Sequence, residues 1–282
     1  MRIFFADKLL GKRPTPMNLK SLFATAIMFA AVSVTRAADH AAFPTTQPNQ
    51  TIPVGERVPS DDPVLKDFHS LGLVNGRVNL FRCASPVRDL GSSTGTAPTS
   101  DEMTIAQSRI QRLSDLGIRT IVCLEDPADP ETDNPAAAAA KITQLKSRLA
   151  LEKSAAEKAG LQFVLMPMAN AGPNSLQTMS DAQVLDWLVH VRAEIFKAEQ
   201  SGGVVFHCSA GHDRTGLVTA FIRMKDQHWP VDQAIDEMRR FGHNWVKYSN
   251  NGGISSWHED HLRAIAKMFA SPTVGLSPDP HN

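Results

Sequence analysis

Cysteine is scarce in this chain, with three in 282 residues. Three cannot all pair within one molecule, and at this length they cannot form the disulfide framework of a small secreted scaffold. No Cys-x-x-Cys pair occurs, which leaves little support for thiol redox work. No apolar run reaches the roughly 20 residues of a membrane-spanning helix, so a multi-span membrane protein is ruled out. No internal repeat is present. Basic charge is not in excess either, since Lys+Arg and Asp+Glu number 29 each. The balance is uneven: residues 1 to 37 hold Arg2, Lys8, Lys12, Arg13, Lys20 and Arg36 against Asp7, leaving 23 basic and 28 acidic residues beyond. A mildly acidic body argues against nucleic-acid binding and against adhesion to anionic membranes, both of which need a basic footprint.

What is present is ordinary globular chemistry, 42% hydrophobic and 21% charged, with a length that suits one main domain. Basic residues lead into an apolar stretch at 22 to 32 and then to Ala37 and Ala38, the three-part layout of a secretory signal peptide. This predicts export to the periplasm or beyond, and a mature form without a membrane span. Residues 38 to 63, rich in Pro, Thr and Gln, are expected to form a flexible leader, 64 to 270 the folded domain, and 271 to 282 a tail.

From residue 64 onward short apolar runs alternate with helical patterns, the rhythm of an α/β layer fold. Strands are expected at 78 to 82, 118 to 124, 161 to 166 and 203 to 206. Helices are expected from Ser100, with Ile105, Ile110, Leu113 and Leu116 inward, then over 134 to 160, from Ser180, after Cys208, over 231 to 241, and over 256 to 269. Cys83 and Cys123 sit in apolar runs and read as buried small hydrophobes, with a bridge between them as the alternative. His258 and His261, at i and i+3, read as a solvated helix face rather than a metal site.

The chemistry concentrates at His207-Cys208-Ser209-Ala210-Gly211-His212-Asp213-Arg214-Thr215-Gly216. A cysteine at a strand end, followed after five residues by an arginine at a helix start, wraps backbone N–H groups around one point with a helix N-terminus aimed at it. Such a loop is an anion cup, and its field favours thiolate over thiol. Arg214 offers a planar fork that matches two phosphoryl oxygens, while Gly211 and Gly216 permit unusual dihedrals and close packing.

This decapeptide resembles the active-site loop of the cysteine-dependent protein-tyrosine and dual-specificity phosphatase superfamily, HCxxGxxR followed by Ser or Thr. The match falls on His207, Cys208, Gly211, Arg214 and Thr215. The resemblance implies a three-layer α/β/α fold with a mostly parallel sheet, and hydrolysis of phosphomonoesters through a phosphocysteine. It gives Cys208 the role of nucleophile and has Arg214 hold the phosphoryl oxygens. Thr215 would assist the thiolate, and His207 would support the loop. Ser209, Ala210, Gly211, His212 and Gly216, with His207, would complete the substrate-binding set. No metal and no cofactor is implied.

The stretch where the superfamily usually carries its general acid, residues 166 to 173, has no carboxylate here, and Asn170 cannot protonate a leaving oxygen. Asp213 resembles the loop aspartate of myotubularin-type phosphatases and is the preferred acid, with Asp126 and Asp129 as alternatives. Around the loop only Arg214 and His212 stand out as cations, which favours phosphotyrosine or dual-specificity protein substrates, or a small phosphomonoester. A phosphoinositide or inositol-polyphosphate phosphatase is the alternative, and a phosphate-binding module without turnover is the third reading.

Overall fold

A computed structural model of the chain describes residues 59–270 except 78, 93, 130–133, 171–173 and 244–255. The expected signal peptide, the leader up to residue 58 and the tail lie outside the described residues. Five strands form one sheet in the order β1-β2-β5-β3-β4. They are β1 (His69–Ser70), β2 (Leu80–Ala84), β3 (Ile118–Glu125), β4 (Gln162–Met168) and β5 (Gly203–Cys208). Only β1 runs antiparallel to its neighbour; the other pairings are parallel.

Six helices are described: α1 (Ser100–Asp115), α2 (Pro135–Lys158), α3 (Asp181–Glu199), α4 (Asp213–Asp226), α5 (Val231–Arg240) and α6 (Trp257–Ala270). Two separate cores show how they flank the sheet. Phe81, Ile121 and Val205 on one sheet face pack with Ile110 and Leu113 of α1 and Leu151 of α2. Leu80, Val122, Val204 and Phe206 on the other face pack with residues of α3, α4, α5 and α6, among them Leu188, Phe221, Ile235 and Leu262. Alternate residues of a strand point to opposite faces, so a central strand covered on both sides must be apolar throughout. That accounts for the Gly-Val-Val-Phe run of β5 and gives the expected α/β/α layering.

Helix starts follow their capping residues. Thr99, one residue before the expected Ser100, caps α1 in a reciprocal box with Glu102, and Ser180 does the same for α3 with Gln183. On α1 the inward set is Ala106, Ile110 and Leu113, whereas Ile105 is exposed. Five residues of helix turn Ile105 about 140° away from Ile110, while Ala106 lies one turn before it on the same face. Strand β2 begins two residues later than the sequence suggests, because it pairs in register with β5 from Leu80↔Val204 to Ala84↔Cys208.

The last five residues of the expected leader are folded onto the domain. Ser60 Oγ bonds to Leu65 O, and Asp62, 2% exposed, accepts from the N–H groups of Val64 and Leu65 and pairs with Arg112 of α1. No bridge links Cys83 and Cys123, which are both buried and free. Both align with His207, from opposite sides of β5. They stand two strand spacings apart, about 9.5 Å, beyond the reach of a disulfide.

Candidate active site

The loop after β5 sits at the carboxyl end of the central strand, where parallel α/β sheets present their ligand sites. Its closure is covalent geometry plus a few bonds. The N–H of Cys208 donates to Thr215 Oγ1 at 2.7 Å, tying the end of β5 to the first turn of α4. Gly211 has φ +74, and a Cβ there would lie 2.4 Å from Cys83 O, so only glycine lets the loop pass this close to β2. On the β2 side, Arg82 Nη2 donates to Gly211 O at 2.6 Å, and the Ser85 N–H is shared between Cys208 O and Ser209 O. Gly216 backs onto Met238 of α5 at 2.6 Å from its would-be Cβ, which brings α5 against the base of the loop.

Arg214 is 2% exposed, its Nη1 donating to Met168 O at 2.9 Å and lying 3.7 Å from Asp129 Oδ2. Extension of β4 to Met168, two residues past the expected end, puts that carbonyl in place. Asp129 in turn accepts from the Asn170 N–H at 2.9 Å. Asp126 is spent locally, accepting from the Ala128 N–H. Of the two alternative acids, therefore, Asp129 lies beside Arg214 and Asp126 caps a turn.

Asp213 opens α4, with its Oδ1 2.6 Å from His243 Nδ1; His243 Nε2 reaches Ser256 Oγ at 2.9 Å. Burial, the largest single influence, would raise the Asp213 carboxyl, but the His243 hydrogen bond together with the attraction of His258, His243 and His212 holds the group well below the ordinary carboxylate range. Asp213 thus rests as a carboxylate. His258, expected on a solvated face, is fully buried behind this pair, and burial drives it down to about 3, so its neutral ring donates from Nε2 to Asn170 Oδ1 at 3.2 Å. His261 is also turned inward, spanning Asp181 Oδ1 and Leu176 O. The helix face read as wet is the face that docks α6.

His207 is not open to the cup. Its ring is fully buried on the α2 side, with Nε2 2.9 Å from Glu152 Oε1 and Nδ1 3.2 Å from Cys208 O. Burial opposes its charge most, yet Glu152, helped by Glu125 and the Cys208 carbonyl, raises it to about 9. Beside it, Arg148 pairs with Glu125 and lies 3.5 Å from Ser209 Oγ. Cys123, Glu125 and His207 bring ligand-type atoms within 4.8 Å of one another. They fit a metal ion poorly, because the carboxylate and the imidazole are each answered by a counter-charge and burial pushes the Cys123 thiol well up. His212 is 8% exposed, with Nε2 3.4 Å from Asp67 Oδ2 and its ring against Gly242. Ser209 is likewise nearly buried, while Ala210 is half-buried at the loop's outer turn.

Residues 99–224, from the cap of α1 through most of α4, match the model of the tyrosine phosphatase family. Together with the HCxxGxxRT loop folded at the end of β5, that match supports the resemblance read from the sequence. Over these 126 of its 282 residues the chain is similar to the tyrosine phosphatase family, within the cysteine-dependent protein-tyrosine and dual-specificity phosphatase superfamily. Within the superfamily, a 70-residue stretch, 25% of this chain, is 39% identical to the dual specificity protein phosphatase TpbA of Pseudomonas aeruginosa. The chain spans 30% of the length of that curated relative. The crystal structure of P. aeruginosa TpbA covers 77% of this chain and 99% of its own, at 18% identity and a TM-score of 0.39. A kinase associated phosphatase structure, with its catalytic-site cysteine substituted by serine, covers 77% and 99%, at 17% identity and a TM-score of 0.44.

Sequence reasoning missed Arg82, Arg148, Glu152 and His243. Arg82 did leave a signal, a lone charge inside the apolar strand Leu-Phe-Arg-Cys-Ala. It is fully buried, stacks over Phe241 at 4.5 Å, and although burial lowers it to about 10 it remains a cation at neutral pH. Glu152 left none, since it stands among the Lys, Glu and Ala residues of a helix that reads as solvated.

Proposed function

We propose that the chain hydrolyses phosphomonoesters on phosphotyrosine or dual-specificity protein substrates through a phosphocysteine. The observation that carries this reading is the cup itself: Cys208 at the end of the central strand, bonded through its N–H to Thr215, with the buried Arg214 beginning the helix aimed at it. Backbone N–H groups and a fixed guanidinium stabilise the charge that grows on phosphoryl oxygens in the transition state. The Cys208 thiolate attacks phosphorus, and the bond to the leaving oxygen breaks. Asp213 passes to that oxygen a proton taken from His243 Nδ1, 2.6 Å from its Oδ1, because the resting carboxylate holds none of its own. Water then attacks the phosphocysteine and returns a proton through Asp213 to His243, the S–P bond breaks, and phosphate leaves as the Thr215 hydroxyl receives the returning thiolate.

Protein substrates are favoured over polyphosphates by His212. Inositol polyphosphates and phosphoinositides need added cations around the cup; His212, the candidate within the loop, already faces the Asp67 carboxylate. Phosphate release from phosphotyrosine peptide, phosphoserine peptide, phosphoinositide and phytate by the reduced protein tests both parts. Fastest release from a phosphopeptide, abolished by Cys208→Ser, is expected. Fastest release from phytate or phosphoinositide would overturn the substrate class. No release by folded protein with a free Cys208 thiol would leave a phosphate-binding module.

A further inference from the structure

We propose that Glu152 of α2 is a positioning residue whose carboxylate keeps the His207 imidazole a cation behind the loop, and that this charge keeps Cys208 reactive through the Cys208–Ser209 peptide. The proposal rests on Cys208 being the nucleophile of the reading above.

The geometry is a three-part chain. Glu152, fully buried, puts Oε1 2.9 Å from His207 Nε2. On the far side of the ring, Nδ1 lies 3.2 Å from the carbonyl oxygen of Cys208. With Nδ1–H given to a carbonyl, a neutral ring would set its Nε2 lone pair against a carboxylate oxygen 2.9 Å away, so the contact with Glu152 calls for the imidazolium. The carbonyl it polarises belongs to the peptide whose N–H, on Ser209, opens the anion cup. A cation on the oxygen side of a peptide strengthens the N–H on the other side. Both effects favour negative charge at Cys208 Sγ.

The surroundings leave Glu152 as the group that can hold the charge. His207 is faced by Glu152 from α2, by Glu125 from β3, and by Cys83 and Cys123 from the strands on either side of β5. Glu125 is taken by Arg148, also of α2 and one turn before Glu152. Burial pushes both flanking thiols well up, so neither supplies an anion. Without Glu152, burial, the largest influence on His207, is opposed by the Arg148-paired Glu125 and the Cys208 carbonyl, and it drives the ring neutral.

Two measurements test this on the full-length reduced protein. The first is the ring 15N shifts of His207 in the native chain at pH 7.5. A doubly protonated ring is expected; a neutral one overturns the proposal even if no variant folds. The second is the alkylation rate of Cys208 by iodoacetamide, an uncharged reagent that reads thiolate and requires no phosphatase activity. In Glu152→Gln that rate should fall about tenfold at pH 6.5, the change one unit of thiol ionisation produces. The difference should vanish at pH 10, where His207 is neutral in the native chain as well. Glu152→Gln combined with His207→Gln removes both buried charges, and it should fold and react as slowly as the single variant. Native-like alkylation at pH 6.5 in either variant overturns the proposal, as does an equal loss at pH 6.5 and 10, which would mean a collapsed loop. Absence of phosphate release from the native chain would instead count against the phosphatase reading and leave these outcomes readable.

Discussion

A methyl group at position 211 has nowhere to go. The backbone there is at φ +74, and the added Cβ would meet Cys83 O at 2.4 Å, backbone that cannot swing aside as a side chain could. Gly211→Ala should therefore displace the loop, cut phosphate release by more than about a hundredfold, and lower urea-unfolding stability by about 2 kcal/mol; native-like activity would contradict this geometry. Asp213→Asn should slow alkyl-phosphate turnover more than aryl-phosphate turnover, because a phenolate leaves without a proton more easily. Equal and negligible effects in steady-state assays would remove Asp213 from the acid role. At this scale the motif residues were legible because their spacing is itself the chemistry: Cys208, Gly211, Arg214 and Thr215 can only meet as a cup. Glu152 and His243 were not, since they reach the loop from α2 and the segment after α5, far away in sequence, and their neighbours give no hint of the direction they face; Arg82 left only its place as a lone charge in the apolar β2.

Elements were legible wherever one face had to be apolar. Strands β3 and β5 and helices α1 and α3 stand within a residue or two of where periodicity puts them, and the errors are instructive. On α1 the apolar pattern favours Ile105, yet the small Ala106 is the residue buried in the core against the sheet. On α2 the Lys and Glu residues suggest a partly exposed helix, yet Arg148 and Glu152, at i and i+4, point inward to pair with Glu125 and His207. The same pattern joins α4 to α5. Arg223 is held by two nitrogens to Glu237, bonds Leu71 O, and lies under Trp229. Both members of the pair are buried. Glu237→Gln would leave the guanidinium buried against a neutral group, and a loss of about 3 kcal/mol in urea unfolding is expected. A loss under about 1 kcal/mol would show the pair to be solvated in practice.

For the whole molecule, two buried histidines set the pH range of the fold. His258 is near 3 in the folded chain and 6.5 unfolded, so the unfolded state binds the extra proton and stability falls as pH drops from about 6.5 toward 3. His207 is near 9 when folded, so its contribution is complete below about 6.5 and is lost as pH rises through 9. Thermal unfolding of the native chain should thus be most resistant near pH 6.5, the acid limb being worth on the order of 5 kcal/mol and the alkaline limb on the order of 3 kcal/mol. The Glu152→Gln, His207→Gln double variant should lose the alkaline limb and keep the acid one; an unchanged alkaline limb would contradict the charge given to His207. The central claim concerns covalent chemistry at Cys208, and acid quenching of the native protein during turnover of a phosphotyrosine peptide tests it most directly. Mass spectrometry should find one phosphoryl group on the peptide that contains Cys208, and none in Cys208→Ser. Turnover without any phosphoryl adduct, or with equal release from Cys208→Ser, would contradict the phosphocysteine route.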